Sequence, residues 1–350
     1  MVMQAAPAKA LPRRSIDQAR VTIYGTGGTI AGAGQNGGQT FGYESGVKSV
    51  KTLIGQVPEL KTVAELKSEQ ITNVGSPDID SKNLLRMQNK IEQELSDAAT
   101  TGVVVTHGTD TIEETAFFMD LTINSKKPVV LVGAMRPPTA HGADGPRNLL
   151  CAVSLAANYE ARERGTMVVL NDRICSARFT TKTDANAVES FVAAGPGFLG
   201  TFVNVAPIFY FSAARPNGHF HFDVSGHDAE KGLPRVGVLD SRADLKPGTL
   251  SSWIHMNEFD GLVLAGMGAG SWPTAAGKEL LHFAARNPRF PLVMSYRTGS
   301  GYVSGAHAHG VEGSCIGGGF LNPAKCRIQL QLCLALGLQT DEIKAVFKGH

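Results

Sequence analysis

Four short apolar runs rich in β-branched residues, at 21–24, 103–106, 129–132 and 167–170, each lead into Gly, Asn, Asp or Thr, as strands feeding loops do. Helical segments lie between them. Asp80 or Ser81 can cap a helix over 82–95, and Thr111-Ile-Glu-Glu114 has the capping-box pattern ahead of 115–121. Pro146 stands near the start of a helix over 147–159, where a first-turn proline belongs. Alternation of strand and helix predicts an α/β fold with a mainly parallel sheet flanked by helices. The pattern weakens over about 204–233, where Pro, Gly and His mix with short aromatic runs. A second alternating set follows, with strands at 236–239, 262–265 and 292–295 and helices at 274–286, 323–336 and 340–347. The expected organisation is a mobile N-terminal arm (1–20), a larger catalytic α/β domain (21–210), a linker (211–234) and a smaller parallel α/β domain (235–350).

Length supports that division, since 350 residues exceed what one core usually holds. A formal net charge of +2 gives no field that would argue for nucleic acid or a membrane surface as the main partner. No apolar run reaches the length of a membrane span. Residues 1–20 carry Arg13 and Arg14 but no apolar core of a signal peptide. The chain as it stands thus reads as cytoplasmic, or periplasmic if a leader has been removed. The five cysteines, Cys151, Cys175, Cys315, Cys326 and Cys333, lack the paired spacing of a zinc site and read as buried small hydrophobes.

The chemistry concentrates where strands end. The first strand runs into Gly25-Thr-Gly-Gly-Thr29-Ile-Ala-Gly32. A dinucleotide fingerprint fails here because Ile30 occupies the last required glycine position, and a phosphate loop fails because no Lys-Ser/Thr follows. A glycine turn remains, with backbone N–H groups beside the hydroxyls of Thr26 and Thr29. Amide hydrolysis needs such donors next to a hydroxyl nucleophile, because its tetrahedral intermediate carries an oxyanion. Taken alone, the segment reads better as a plain tight turn. The strand at 103–106 ends in His107-Gly-Thr109-Asp110-Thr111. There Asp110 can pair with a substrate ammonium or simply complement a helix N-terminus, while Thr109 can hold a water. His107, at a strand end, reads as structural. Lys182, in Thr-Thr-Lys-Thr, can accept a proton from a threonine hydroxyl if burial depresses its pKa, though an isolated lysine is usually an exposed one.

Taken together, Thr-Gly-Gly-Thr-Ile-Ala at 26–31 and His-Gly-Thr-Asp-Thr at 107–111 resemble the two signatures of bacterial L-asparaginases, especially the type II group. Val-Gly-Ala-Met-Arg-Pro at 132–137, Asp-Gly-Pro-x-Asn-Leu at 144–149, Asn-Asp at 171–172, Thr-Lys-Thr at 181–183 and Leu-Asn-Pro-x-Lys at 321–325 continue the resemblance in order. It implies hydrolysis of L-asparagine through a covalent β-aspartyl ester, with Thr29 as nucleophile. Tyr43 would lie on a mobile lid, and the glycine-rich run 32–42 fits a loop that opens and closes. Thr109, Asp110 and Lys182 would form a second group that positions and activates water. Gly28, Ser76, Pro77, Thr109 and Asp110 would line the substrate, with Ser76 on its α-carboxylate and Asp110 on its α-ammonium. The resemblance further implies no metal or organic cofactor, and a homotetramer built as a dimer of dimers. From the residues alone, the order in which the two threonines act stays open.

Three departures from the family pattern concern substrate anchoring. Pro77 stands where Gln or Glu is common, Ala269 where some members carry Asn, and the segment 298–309 holds no acid to reach a neighbouring subunit, the next being Glu312. Weak glutaminase activity is therefore expected. Two further readings compete: an amidotransferase-associated ammonia-releasing subunit, for which no extra domain is in evidence, and a non-catalytic amino-acid-binding module, which would not require Thr29, Thr109 and Lys182 together. A nicotinamide oxidoreductase is disfavoured by both broken glycine patterns.

Overall fold

Parallel strands form the spine of the N-terminal half in the computed structural model, which describes residues 19–305, 311, 313 and 315–349. They are β1 (Arg20–Gly27), β2 (Glu65–Val74), β3 (Gly102–Thr106), β4 (Val129–Val132) and β5 (Thr166–Leu170), in the spatial order 2-1-3-4-5. The sheet continues with antiparallel β6 (Arg173–Ser176). The chain then leaves it for the hairpin β7 (Thr180–Lys182) and β8 (Phe191–Ala193), and returns as β9 (Gly200–Val203) and β10 (Ala206–Phe209). Helices α1 (Val50–Gly55), α2 (Leu60–Val63), α3 (Ser81–Ser96), α4 (Ile112–Thr122) and α5 (Gly145–Ala157) flank this sheet.

The second half builds a separate four-stranded parallel sheet from β11 (Val236–Asp240), β12 (Gly261–Gly266), β13 (Leu292–Tyr296) and β14 (Ile316–Gly317). Its helices are α6 (Thr249–Asn257), α7 (Thr274–Arg286), α8 (Pro323–Ala335) and α9 (Thr340–Lys348). The expected α/β class, with a larger mainly parallel sheet and a smaller parallel one, is what the chain adopts. The arm expected over 1–20 lies, save its last two residues, outside the described residues.

The central strands read as unbroken apolar runs because both faces are covered. Val103 and Val105 of β3 point into a core that contains Leu85 and Ile91 of α3 and Phe117 of α4, while Val104 points into the opposite core with Leu149 and Val153 of α5. The edge strand β2 carries five charged or amide side chains and follows neither pattern, so hydrophobic periodicity did not reveal it. The capping box foreseen at 111–114 does not form. Thr111 instead donates its hydroxyl to the carbonyl of Ser76 at 2.8 Å, and Glu113 and Glu114 turn toward α8. Helix α4 is buried from Thr115 to its end, and its core is continuous with Leu330 of α8 and Val263 of β12. The two sheets are thus welded through a shared apolar core rather than merely tethered.

Cys151, Cys175, Cys326 and Cys333 are buried thiols, each pushed up to about 12 by burial, as small hydrophobes would be. Among the described residues, no helix is long and apolar enough to cross a membrane.

The order 2-1-3-4-5 has a consequence for chemistry. Beyond β1 the chain moves outward to β2, then crosses back to β3 on the other side, so the loops leaving β1 and β3 diverge and open a crevice at the carboxyl ends of both strands. One carboxylate fixes α3 beside that pair. Glu94 accepts hydrogen bonds from Thr22 of β1 at 2.8 Å and from Thr100 at 2.6 Å, with Lys67 at 3.6 Å. Burial works to raise its pKa, but the Thr100 and Thr22 hydroxyls and Lys67 outweigh it and hold the carboxyl below 4.5. A folded-state pKa below the unfolded value gives stability that is complete above pH 4.5 and lost as pH falls beneath it. Glu94→Gln should therefore unfold at lower denaturant concentration than wild type at pH 7, and the gap should narrow as the pH is taken down toward 3.

Candidate active site

Two strand-end turns meet backbone to backbone at this crevice. Gly27 and Gly28 close β1 with φ of 102° and 78°, conformations that a side chain disfavours. A Cβ on Gly28 would stand 2.3 Å from the Cα and N of Gly108, in the turn after β3. A Cβ on Gly108 would stand 2.8 Å from Cβ and Oγ of Ser76, which follows β2. Three strand ends therefore converge where nothing larger than hydrogen fits between them. Gly28 donates its N–H to the carbonyl of Val74 at 2.8 Å, so its share in the site is the shape of the turn. Thr26 donates its hydroxyl to the carbonyl of Thr106 at 2.9 Å and ties β1 to β3.

Thr29 opens a single 3-10 turn directly after Gly28 and is buried. Its Oγ1 lies 2.7 Å from the hydroxyl of Tyr43. Tyr43 comes from the loop 32–49, which pairs with itself through Ala33 and Glu44 and docks on a neighbouring loop. The docking bonds run from Gly34 N to Thr139 Oγ1 at 2.8 Å and from His141 N to the carbonyl of Gly37 at 2.7 Å. Burial raises the Tyr43 pKa; the hydrogen bond to Thr29 pulls the other way, and the charges of Asp110 and Asp144 add to the rise. The Thr29–Tyr43 pair is thus two neutral hydroxyls at neutral pH.

On the other turn, Thr109 is buried and receives Lys182 Nζ on its Oγ1 at 3.0 Å. The same Nζ bonds Asp110 Oδ1 at 2.7 Å. The lysine side chain is 16% exposed and the aspartate 63%, so the cation faces inward while the carboxylate opens to solvent. Residues 72 positions apart are thereby joined by the hairpin β7–β8. Ser76, also buried, accepts the N–H of Thr111 on its hydroxyl at 3.3 Å. Pro77 is exposed in the first turn of the short 3-10 segment Ser76–Asp78, where its fixed φ suits the backbone. Ala269 is exposed in the turn leaving β12, and Glu312 lies outside the described residues. The two signature turns thus meet through Gly28 and Gly108, Thr29 pairing with Tyr43 on one and Thr109 and Asp110 with Lys182 on the other. Among the described residues, no three His, Cys, Asp or Glu side chains converge as a metal would need.

Comparison with known proteins bears on this arrangement directly. Residues 20–214 match the family model described as "Asparaginase, N-terminal", and residues 235–347 match "Glutaminase/Asparaginase C-terminal domain". The chain belongs to the asparaginase family. This asparaginase is 45% identical over 329 residues to L-asparaginase 2-3 of Saccharomyces cerevisiae, covering 94% of this chain and 90% of the yeast protein. It is 41% identical to L-asparaginase 2 of Bacillus subtilis, over 95% of this chain and 87% of the bacterial one. Among solved structures, the probable cytoplasmic L-asparaginase from Campylobacter jejuni superposes with a TM-score of 0.87 at 38% identity, covering 95% of this chain and all of the other. The resemblance read from the two threonine-bearing turns is borne out.

Some residues that support this arrangement were not singled out for chemistry. Asp144 accepts the backbone N–H groups of Met135 and Arg136 at 3.0 and 2.9 Å, and Asn148 Nδ2 bonds both Asp144 and the carbonyl of Gly133 at 3.0 Å. These bonds shape the loop on which the Tyr43-bearing segment rests. Their signal was present in Asp-Gly-Pro-x-Asn at 144–148, a turn rich in side chains that bond the backbone.

His107 is structural, as expected. It is fully buried, with Nδ1 2.7 Å from the carbonyl of Gly108 and Nε2 2.9 Å from Thr115 Oγ1. A carbonyl only accepts, so Nδ1 carries the proton and Nε2 accepts from the threonine. Burial pulls its pKa down to about 4, against a slight opposing pull from the Gly108 carbonyl. The histidine ring resonances of His107 should consequently stay unmoved between pH 8 and 5. Because the unfolded chain takes up the proton first, the stability His107 contributes is complete above pH 6.5 and lost as pH falls from there to about 4, up to about 3 kcal/mol. Denaturant unfolding across that window measures the loss.

Proposed function

We propose that this asparaginase hydrolyses L-asparagine to L-aspartate and ammonia by a threonine ester. One observation carries the reading: two buried threonine hydroxyls, each with its own partner, stand on turns in backbone contact. Thr29 has Tyr43 at 2.7 Å and Thr109 has Lys182 at 3.0 Å. Neither pairing is needed to close a turn, and together they supply a nucleophile and a place for water.

Asp110 offers a carboxylate oxygen to the substrate α-ammonium while Lys182 holds the other end of the group, and the Ser76 hydroxyl faces the α-carboxylate. Thr29 Oγ1 then attacks the side-chain amide carbon and gives up its proton through Tyr43. The C–N bond breaks, ammonia leaves with that proton, and the β-aspartyl ester remains on Thr29. Water held at Thr109 and polarised by Lys182 attacks the ester carbon. Its hydroxyl completes the aspartate carboxyl, the ester bond to Thr29 Oγ1 breaks, and the water's other proton returns to that oxygen. The 63% exposure of Asp110 leaves the crevice open on one side, which fits a homotetramer in which a neighbour closes it.

Thr29→Ala, Thr109→Val and Lys182→Met should each lower kcat for ammonia release from asparagine by about 10²-fold or more. Full activity in Lys182→Met would remove the lysine from the mechanism. A wild type that binds aspartate yet releases no ammonia would make the chain a binding module instead.

Anchoring beyond Ser76 and Asp110 is sparse, since Pro77 can offer no side-chain hydrogen bond and Ala269 only a methyl. Glutamine, longer by one methylene, must displace one end of the molecule and depends on such anchors. The ratio of kcat/KM for asparagine over glutamine should therefore reach about 10–200. Comparable values for the two amides would show that the lost anchors do not set selectivity.

A further inference from the structure

One carboxylate beneath the crevice gathers three donors from two elements. Glu113, in the first turn of α4, accepts the Thr181 hydroxyl on Oε1 at 3.3 Å, and Asn322 Nδ2 and Lys325 Nζ on Oε2 at 2.9 Å each. Lys325 Nζ also donates to the carbonyl of Thr180. Thr180 and Thr181 are the two residues of β7 that precede Lys182, while Asn322 and Lys325 cap and begin α8. Among the described residues, β7 pairs with β8 alone, over three positions. So short a ladder does little to fix the height of a strand against its neighbours. The Glu113–Lys325 pair supplies what the ladder lacks: it clamps the base of β7 to α4 and α8, and the next side chain along, Lys182, reaches Thr109 and Asp110 just ahead of α4.

Stability is a poor reason for such a pair. Lys325 and Glu113 are 2% and 14% exposed, and burial drags the lysine pKa down while Glu113 opposes the fall. Two apolar side chains of the same volume would hold α4 to α8 at least as well, because the desolvation of a buried ion pair cancels most of its attraction. What charge adds is geometry, since the pair tolerates few arrangements.

We propose that Glu113 and Lys325 are positioning residues, which set Lys182 Nζ against Thr109 Oγ1 and so make the C-terminal half a working part of the N-terminal site. The effect on rate rests on the reading of Lys182 given above; the placement of Lys182 does not.

Removing one partner strands the other in the interior, so Glu113→Gln or Lys325→Met alone should lose stability and activity together. The informative protein is the double variant E113Q/K325M, which removes both charges and nearly keeps both shapes. It should melt close to wild type. Its crystal structure should show Lys182 Nζ withdrawn from Thr109, and kcat for asparagine should fall by about 10²-fold with a smaller change in KM and an altered pH profile. Lys182 found in its native place would overturn the proposal, whatever the rate. Lys182 displaced with kcat unchanged would uphold it and instead dismiss Lys182 from the mechanism. Should the double variant not fold, Thr181→Val cuts the Glu113 tie to β7 and leaves the charges intact. It should lower kcat by about fivefold to tenfold, the worth of one hydrogen bond. Wild-type kcat and pH profile in that protein would also overturn the proposal.

Discussion

The contact between Gly28 and Gly108 is the constraint on which the site depends. Two parallel strands bring their ends side by side at the point where the sheet reverses its winding, but strands alone leave their loops some 5 Å apart. Only by nesting the turns, with Ser76 pressed against the second glycine, can hydroxyls from both loops address one small molecule. The glycines therefore act by what they omit. Positive φ at Gly28 turns the chain sharply enough that Thr29 is presented at the crevice immediately after the strand, and the bare Cα lets the facing turn close in.

Once the turns are nested, the two threonines sit in different electrostatic settings. Thr29 has a neutral phenol for a partner, and burial with nearby carboxylates keeps that phenol protonated. Thr109 has an ammonium, itself engaged by a carboxylate. A hydroxyl beside a phenol can pass a proton without change of charge; one beside an ammonium lies in a positive field that polarises bound water. This difference is what supports the proposed roles of nucleophile on the first turn and water site on the second, a distinction that two similar Gly-Thr loops in a sequence do not express.

What could be read from the chain follows from the range of each interaction. Buried strands such as 103–106 were legible because both faces are covered and every residue must be apolar. The glycine turns were legible because their chemistry is packed into five or six consecutive residues. The edge strand β2 was not, since half-exposed polar side chains carry no period that decides its type. Nor was the fate of Thr111 and Glu114. Locally they spell a capping box, yet Ser76 and Arg327, far away in the chain, offer stronger partners than the helix's own backbone. Lys182 shows the limit most plainly, for nothing within ten residues of it says that it will meet Thr109.

That last gap has a physical moral for the fold. A lysine must be brought to Thr109 from a short hairpin that belongs to neither neighbouring helix. The chain solves this by burying most of α4 between its own sheet and α8 of the second half, so that the helix becomes a fixed floor. Thr109 and Asp110 stand just ahead of its first turn, and Glu113 within that turn reaches the clamp. Lys182 is then placed from two sides: its own Nζ bonds Thr109 and Asp110, and Glu113 bonds the preceding residue, Thr181. A second sheet whose strands contribute no residue to the threonine pairs is thereby explained as more than ballast: it supplies the wall against which α4 is pressed and the ammonium that pins β7.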